Sequence, residues 1–217
     1  MFSVIVSTYD KNKLNNILLP SLDPIKKHLK DNHFPELQIV LVEGKKGLTE
    51  NYNKGLDQSK FKLKIFIHED IDIMDVDPPL FMKIHALFTL FPNTGLIGLI
   101  GTTENVTGFW WSCSKKSIVG HVQHLGEIEE YLTWRHDEVF YSGIEYVDGF
   151  FMATTLDIRF SEDIDGFHFY GSDYCNMIKR EGYDIKVIPH LVKHYVTIKS
   201  LTGTNIDYYN RKWNLIS

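Results

Sequence analysis

Short apolar runs alternate with amphipathic stretches along the first part of the chain, and this alternation predicts an α/β fold. Three apolar runs have the length and the residue pattern of strands, namely residues 2–7, 37–42 and 61–67. An amphipathic segment follows each of the first two runs, and in the earlier segment Leu14, Ile17 and Leu18 form an apolar stripe. Strand–helix alternation of this kind indicates a mostly parallel sheet with right-handed crossovers.

The rest of the chain continues the pattern less regularly. Further strands are predicted at residues 96–100, 146–155 and 185–188, and further helices at residues 80–91 and 172–180. Residues 121–142 show no clear period, so we expect them to form an excursion over a binding cleft. Residues 200–217 are polar and aromatic, and we expect them either to cover the site or to contact a second copy of the chain.

The third apolar run ends in His-Glu-Asp-Ile-Asp at residues 68–72, which we interpret as a metal site at the carboxyl end of a strand. Ligands of open α/β sheets bind outside the carboxyl ends of the strands. Asp70 and Asp72 both offer hard oxygen ligands to Mg²⁺ or Mn²⁺. A solvated acidic loop is the alternative, because the chain has 28 acidic residues and a second Asp-x-Asp at 75–77. His68 is interpreted as structural.

Composition and charge are those of an ordinary soluble globular protein. The chain has 217 residues, 43% of them hydrophobic and 24% charged, which fits a single domain at 1–217 with a full core. A net charge of −5 gives no basic surface for phosphate backbones, so nucleic acid is not an expected partner. With two cysteines and no signal peptide before the first strand, we expect a cytoplasmic protein. No apolar run approaches the roughly 20 residues of a membrane-spanning helix, which leaves peripheral membrane contact and homo-oligomer formation open.

Six short motifs occur in an order that carries a family resemblance. They are Phe-Ser-Val-Ile-Val-Ser-Thr-Tyr at 2–9, Val-Glu-Gly at 42–44, Glu-Asn-Tyr-Asn-Lys-Gly-Leu at 50–56, His-Glu-Asp at 68–70, Glu-Tyr-Val-Asp-Gly-Phe-Phe-Met-Ala-Thr at 145–154 and Gly-Phe-His-Phe-Tyr-Gly-Ser-Asp at 166–173. In this order they resemble the family 2 glycosyltransferases of the GT-A fold, and they look closest to the small glycosyltransferase-like domain first described in a streptomycin-biosynthesis protein. The resemblance implies a Rossmann-like three-layer α/β sandwich with a mostly parallel central sheet. It also implies a nucleotide-binding half at 1–100, an acceptor half at 101–199 and a C-terminal tail at 200–217.

The resemblance assigns the donor side of the site. The implied nucleotide-binding residues are Thr8, Tyr9, Glu43, Asn53 and Asp70. Asn53 lies near the start of a helix, where backbone amides and the helix dipole favour phosphates. The implied ligands of the Mn²⁺ or Mg²⁺ ion that bridges the donor diphosphate are Asp70, Asp72 and His194.

Aromatic residues are assigned to the acceptor side. Trp110 and Trp111 are adjacent, so both rings cannot point inward from one strand, and an exposed ring suits stacking on a sugar face. A second small core is the alternative. The resemblance also places Asp148 beside the acceptor and the donor sugar.

The catalytic base of the family is missing from its usual place. Family 2 enzymes commonly carry Glu-Asp-x-Asp before a helix, with the aspartate of the Glu-Asp pair as the base. Here Asp173 takes the last position of the motif, while Tyr170 and Gly171 stand where the pair belongs. We expect either that a nearby acid, Asp163, Asp165 or Asp173, acts as the base, or that the chain has lost transferase activity. Helix capping is the alternative role of Asp173.

The expected function is therefore a metal-dependent glycosyltransferase of the kind used in polysaccharide biosynthesis. Its donor is expected to be a nucleotide-sugar, first of all a UDP-sugar, and its acceptor a hydroxyl group of a glycan or a small molecule. The resemblance implies inversion at the sugar carbon. The alternatives are a non-catalytic nucleotide- or glycan-binding protein that has kept the fold without the base, and a purely structural interaction domain.

Overall fold

The computed structural model shows a mixed α/β fold and describes residues 1–34, 37–44, 47–74, 79–106, 109–127, 129–164, 168–196 and 206–215. The helices are α1 (Lys11–Lys13), α2 (Leu19–Ser21), α3 (Asp23–Asp31), α4 (Leu48–Gln58), α5 (Leu80–Leu90), α6 (Tyr170–Arg180) and α7 (Ile206–Lys212), with a π-helical turn at Leu14–Leu18 and a 3-10 turn at Trp110–Ser112. The strands are β1 (Phe2–Thr8), β2 (Gln38–Glu43), β3 (Leu63–His68), β4 (Ile71–Asp72), β5 (Thr94–Gly98), β6 (Gly101–Thr102), β7 (Ile118–Val119), β8 (His121–Gly126), β9 (Glu130–Thr133), β10 (Tyr146–Val147), β11 (Phe151–Thr154), β12 (Asp184–Val187) and β13 (Val192–Val196).

A six-stranded central sheet forms the body of the fold, in the order β12–β5–β11–β3–β1–β2. Strand β11 runs antiparallel to its two neighbours, and the other pairs in the sheet are parallel. All seven residues of β1 are buried, as expected for a strand covered on both faces. The predicted α/β class with a mostly parallel sheet is therefore confirmed.

Helix α4 packs directly on β1 and β2. A methyl group at Gly55 would come within 2.2 Å of the Ile5 side chain, so glycine is what lets the helix approach the sheet this closely. The close approach fixes the start of α4, and thereby Leu48, beside the carboxyl end of β1.

A four-stranded sheet in the order β4–β13–β8–β9 stands beside the central sheet. It contains β8 and β9, which lie in the region where the sequence showed no period. Most residues of β8 are only partly buried, so polar and apolar positions do not alternate cleanly and the strand signal is lost. The small antiparallel sheet β10–β6–β7 completes the fold.

Helix α7 lies against α6, and Tyr209 is fully buried there. The Tyr209 hydroxyl accepts a hydrogen bond from Asn176 Nδ2 at 3.1 Å. Within the described ranges, no helix combines the length and the apolar character needed to span a bilayer.

Candidate functional site

A cavity of about 750 Å³ lies where β1 and β3 end, since Ser7 and His68 both line it. One part of its lining is polar and consists of His68, Glu69, Asp70, His124, Glu130, Asp148, His168, Ser172 and His194. The aromatic and aliphatic lining residues include Phe109, Trp110, Trp111, Ile118, Val122, Leu132 and Trp134. The predicted location of the site at the carboxyl ends of the strands agrees with this cavity.

Three side chains in the cavity form a cluster with the composition of a metal site. One ligand atom from each of His68, Asp70 and His194 lies within 4.8 Å of the other two, and the described residues contain no other such group of three. Strand pairing produces the cluster: His68 ends β3, Asp70 follows it, and His194 of β13 is paired with Ile71 of β4.

Hydrogen bonds to the backbone fix the segment that carries Asp70. The Tyr195 N–H donates to the Asp70 carbonyl at 2.9 Å, and the His68 N–H donates to the Phe150 carbonyl at 3.0 Å. The buried Glu69 carboxylate accepts from the Thr8 hydroxyl and from two backbone N–H groups of the turn after β1. Glu69 thus connects the end of β1 to the end of β3.

Asp70 carries a negative charge surrounded by basic groups. Burial alone would raise the pKa of this carboxyl, but His194, His68 and Lys13 hold it well below its usual range. Lys13 Nζ lies 3.2 Å from Asp70 Oδ2, whereas Asp70 Oδ1 faces the imidazoles, 3.5 Å from His194 Nε2 and 3.9 Å from His68 Nδ1. This Oδ1 is buried and accepts no hydrogen bond from the described residues. A buried acceptor without a donor is costly, and a cation at this point would satisfy it.

Tyr170 orients His68 from outside the cluster. The Tyr170 hydroxyl lies 2.6 Å from His68 Nε2, so this contact leaves Nδ1 directed at Asp70. The Tyr170 ring rests on Gly149, where an added methyl group would come within 2.3 Å of the ring. Metal-binding histidines are typically held by such a second contact, which fixes the ring and its tautomer.

The residues present therefore suit a divalent cation with mixed ligand preferences. Two imidazoles and one carboxylate fit Mn²⁺ better than Mg²⁺, which prefers oxygen ligands only. His68 was interpreted as structural in the sequence, and its position at the end of β3, directly before Glu69 and Asp70, was the available signal.

Asp72, expected to share the metal with Asp70, lies outside the cluster. One of its carboxylate oxygens accepts from the Met74 N–H at 3.1 Å, and the other lies 4.0 Å from Lys193 Nζ. It lines a separate, shallower pocket beside the first helical turns. The expectation that Asp72 is a metal ligand is corrected accordingly, because its carboxylate serves this local turn.

The predicted nucleotide-binding residues are distributed unevenly. Tyr9 lines the cavity and is 46% exposed, and burial together with Asp70, Glu69 and Asp10 raises its pKa to about 12. Thr8 is buried and its hydroxyl donates to the Glu69 carboxylate, so its side chain holds Glu69 in place and does not face the cavity.

Glu43 and Asn53 do not line the cavity. Glu43 ends β2 and forms a surface ion pair with Lys11 at 2.8 Å. The buried Asn53 amide donates to the Phe160 carbonyl at 2.9 Å and accepts from the Phe160 N–H at 2.8 Å. The expectation of a phosphate contact from Asn53 is replaced by a structural role, because both ends of the amide are used within the protein.

The predicted acceptor residues all line the cavity. Trp110 is buried while Trp111 is 48% exposed, so the two rings divide between core and surface. Phe109 stacks on Trp111 with a centroid distance of 4.6 Å and on Phe169 with a distance of 4.8 Å. Trp111, Phe109 and Phe169 thus form a continuous aromatic wall of the cavity.

The two predicted catalytic acids have different outcomes. Asp165 lies outside the described residues. Asp173 is buried at the start of α6, where its carboxylate accepts from Trp213 Nε1 at 2.8 Å and pairs with Lys212 at 3.0 Å. It does not line the cavity, and its contacts with the C-terminal segment agree with a packing role, whereas the start of α6 has no side-chain cap and Asp173 therefore does not cap the helix.

Gly171 stands where the family resemblance places the catalytic base, and the structure shows a close backbone contact at this residue. A methyl group there would come within 3.0 Å of the Gly149 backbone. The start of α6 therefore packs on the turn between β10 and β11, leaving little room for a larger side chain. Asp163, the remaining nearby acid, pairs with Lys212 at 2.8 Å on the surface.

Comparison with known proteins gives one family match and several similar folds. A family model described as "Glycosyltransferase like family" matches residues 20–216. No curated protein sequence matches the chain.

Three solved structures share the fold at low sequence identity. GalNAc-T7 with UDP, GalNAc and Mn²⁺ has a TM-score of 0.60 and 10% identity, covering 95% of this chain and 46% of that one. Staphylococcus aureus TarS 1-349 with UDP-GlcNAc has a TM-score of 0.52 and 14% identity, covering 96% and 63%. The mannosyltransferase PcManGT from Pyrobaculum calidifontis with GDP-Man and Mn²⁺ has a TM-score of 0.51 and 14% identity, covering 92% and 58%. The chain thus spans 46% to 63% of the length of these three structures.

Proposed function

Because the chain belongs to the glycosyltransferase-like family, we propose that it transfers a sugar from a nucleoside-diphosphate donor to a hydroxyl group. The observation that carries the proposal is the cluster of His68, Asp70 and His194 on the cavity wall. Structures of the same fold contain UDP, UDP-GlcNAc or GDP-Man, and two of them contain Mn²⁺. These neighbours support a nucleotide-sugar donor, with UDP-sugars as the first choice.

The proposed cation, Mn²⁺ or Mg²⁺, would be held by the three clustered side chains. When bound, it would neutralise the charge that develops on the departing diphosphate. Asp70 Oδ1 supplies the negative ligand, and Tyr170 keeps His68 directed at it. Lys13 adds a second positive charge at the same end of the cavity, 3.2 Å from Asp70 Oδ2.

The donor and acceptor would occupy opposite parts of the cavity. Tyr9 and Leu48 line the part next to the end of β1, which is where the proposed nucleotide would lie. Trp111 and Trp134 line the other part, where the exposed Trp111 ring and the half-buried Trp134 ring can stack on the face of a sugar or on an aromatic acceptor. A glycan or small-molecule acceptor with inversion at the sugar carbon fits this division.

A non-catalytic binding protein is the second candidate, and one observation favours it. Gly171 is packed against Gly149, so the carboxylate that the family carries at this place is absent. Such a protein would bind a nucleotide-sugar without releasing the nucleoside diphosphate.

Calorimetric titration tests the proposal. UDP, GDP, UDP-GlcNAc and GDP-mannose are titrated into the protein with and without Mn²⁺, and product release is then followed with any donor that binds. We expect binding of at least one nucleotide that depends on Mn²⁺. If no nucleotide binds in either condition, both the transferase and the binding protein are refuted.

A further inference from the structure

The cavity brings one carboxylate to the position that a catalytic base needs. Among the described residues, the acids that line it are Glu69, Asp70, Glu130 and Asp148. A base must have an oxygen available to the acceptor hydroxyl, and it must lie on the wall that the acceptor can reach.

Three of these acids are committed elsewhere. Glu69 accepts hydrogen bonds from Thr8 and from the backbone of the turn after β1. Asp70 lies in the metal-site cluster. Glu130 is exposed at the rim of the cavity, 3.2 Å from His124.

Asp148 differs from the other three in the use of its oxygens. Its Oδ1 accepts from the Phe150 N–H at 3.0 Å, which closes a turn between β10 and β11, and no described residue donates to the second oxygen. The side chain is partly buried and lines the cavity. Burial raises the pKa of this carboxyl, with His194, His124 and His168 acting in the opposite direction.

The residues that follow Asp148 contact both the metal-site cluster and the start of α6. Its neighbour Phe150 contacts the His194 ring, with a centroid distance of 5.4 Å. Its other neighbour, Gly149, is the residue on which Tyr170 and Gly171 pack. The backbone of Asp148 therefore lies next to Gly171, where the family base is missing.

We infer that Asp148 is the catalytic base, which accepts the proton of the attacking hydroxyl from a position on the loop facing α6. The inference rests on the proposed transferase function. In the step, the acceptor oxygen forms a bond to the anomeric carbon of the sugar, and the bond from that carbon to the diphosphate oxygen breaks. The diphosphate leaves with the bonding electron pair, and the proton of the hydroxyl moves to the second oxygen of Asp148. With water as the acceptor, the same step hydrolyses the donor.

The test uses Asp148→Asn in the full chain, with water as the acceptor. Asparagine keeps the Oδ1 contact to Phe150 but cannot accept the proton. Release of UDP or GDP from UDP-GlcNAc and GDP-mannose is measured with Mn²⁺, and nucleotide binding is measured by calorimetry in parallel. Asp57→Asn is the matched control, because Asp57 lies on the surface, where its one ion pair with a described residue is that with the exposed Arg159.

We expect Asp148→Asn to bind the donor as the wild type does and to release product about 10² to 10⁴ times more slowly, the usual contribution of a general base. Asp57→Asn should keep the wild-type rate. An unchanged rate in Asp148→Asn, or a comparable loss in Asp165→Asn with no loss in Asp148→Asn, would overturn the inference. Binding without product release by the wild type would also overturn it, whereas absence of binding would refute the proposed function itself.

Discussion

Replacing Tyr170 by phenylalanine removes the hydroxyl that holds His68 while leaving the ring on Gly149. The lost contact is a 2.6 Å hydrogen bond to His68 Nε2, and such a bond contributes about 0.5–1.5 kcal/mol to the free energy of unfolding. Loss of a second contact to a metal-binding histidine lowers metal affinity about 10- to 100-fold, which corresponds to roughly 1.4–2.7 kcal/mol. Tyr170→Phe is therefore expected to lose more in Mn²⁺ affinity than in stability.

Tyr52 provides a matched control for this experiment. Its ring lies 6.0 Å from that of Tyr170, but none of the residues in the described ranges forms a hydrogen bond with its buried hydroxyl. Tyr52→Phe should therefore be neutral or stabilising, since it removes an unpaired buried polar group.

The assay combines Mn²⁺ titration in saturating UDP with urea unfolding in the absence of metal. Tyr170→Phe should bind Mn²⁺ more weakly than the wild type, and Tyr52→Phe should match the wild type. Wild-type Mn²⁺ affinity in Tyr170→Phe, or an equal loss in both variants, would show that the Tyr170 contact does not serve a metal site.

Four further substitutions test which positions around the cavity are functional and which are structural. Asp70→Asn should abolish Mn²⁺-dependent UDP binding while Asp72→Asn preserves it, because the Asp70 carboxylate faces the imidazoles and the Asp72 carboxylate faces Lys193. Equal losses of UDP affinity in the two variants, measured by calorimetry, would contradict this expectation. Gly171→Asp should lower the free energy of unfolding by about 1–3 kcal/mol, because the new side chain meets the Gly149 backbone. It should not raise the rate of product release. A variant that is as stable as the wild type in urea unfolding and releases product faster would refute the packing argument. Asp173→Asn should lower the free energy of unfolding by roughly 1–3 kcal/mol, because the ion pair with Lys212 of α7 is lost, and it should leave UDP affinity unchanged. Weaker UDP binding at wild-type stability would instead indicate that Asp173 belongs to the functional site.

Much of the central sheet was readable from local pattern. The apolar runs that became β1, β2 and β3 have a length and residue types that fit few other structures, and β1 and β3 are buried almost throughout. The position of Asp70 at the end of β3 followed from the same pattern. His194 entered only through the family resemblance, because β13 had no clear strand signal of its own.

The errors at the site come from contacts between distant parts of the chain. His68 was passed over because a single polar residue at the end of an apolar strand does not reveal that His194, far along the sequence, pairs beside it. Asp173 was overrated because its partners, Lys212 and Trp213, lie in the C-terminal tail. No local sequence pattern predicts where this tail packs. Asp72 was overrated because its spacing from Asp70 does not show that its carboxylate caps a turn.

Pulsed electron paramagnetic resonance of bound Mn²⁺ tests the proposed metal site most directly, because it detects nitrogen nuclei coordinated to the metal. In saturating UDP, wild-type protein should show couplings from imidazole nitrogens, and His68→Ala and His194→Ala should each lose part of this signal. Asp57→Asn should retain the complete signal. Mn²⁺ with oxygen ligands only, or a nitrogen signal unchanged in both histidine variants, would contradict a metal site formed by His68, Asp70 and His194.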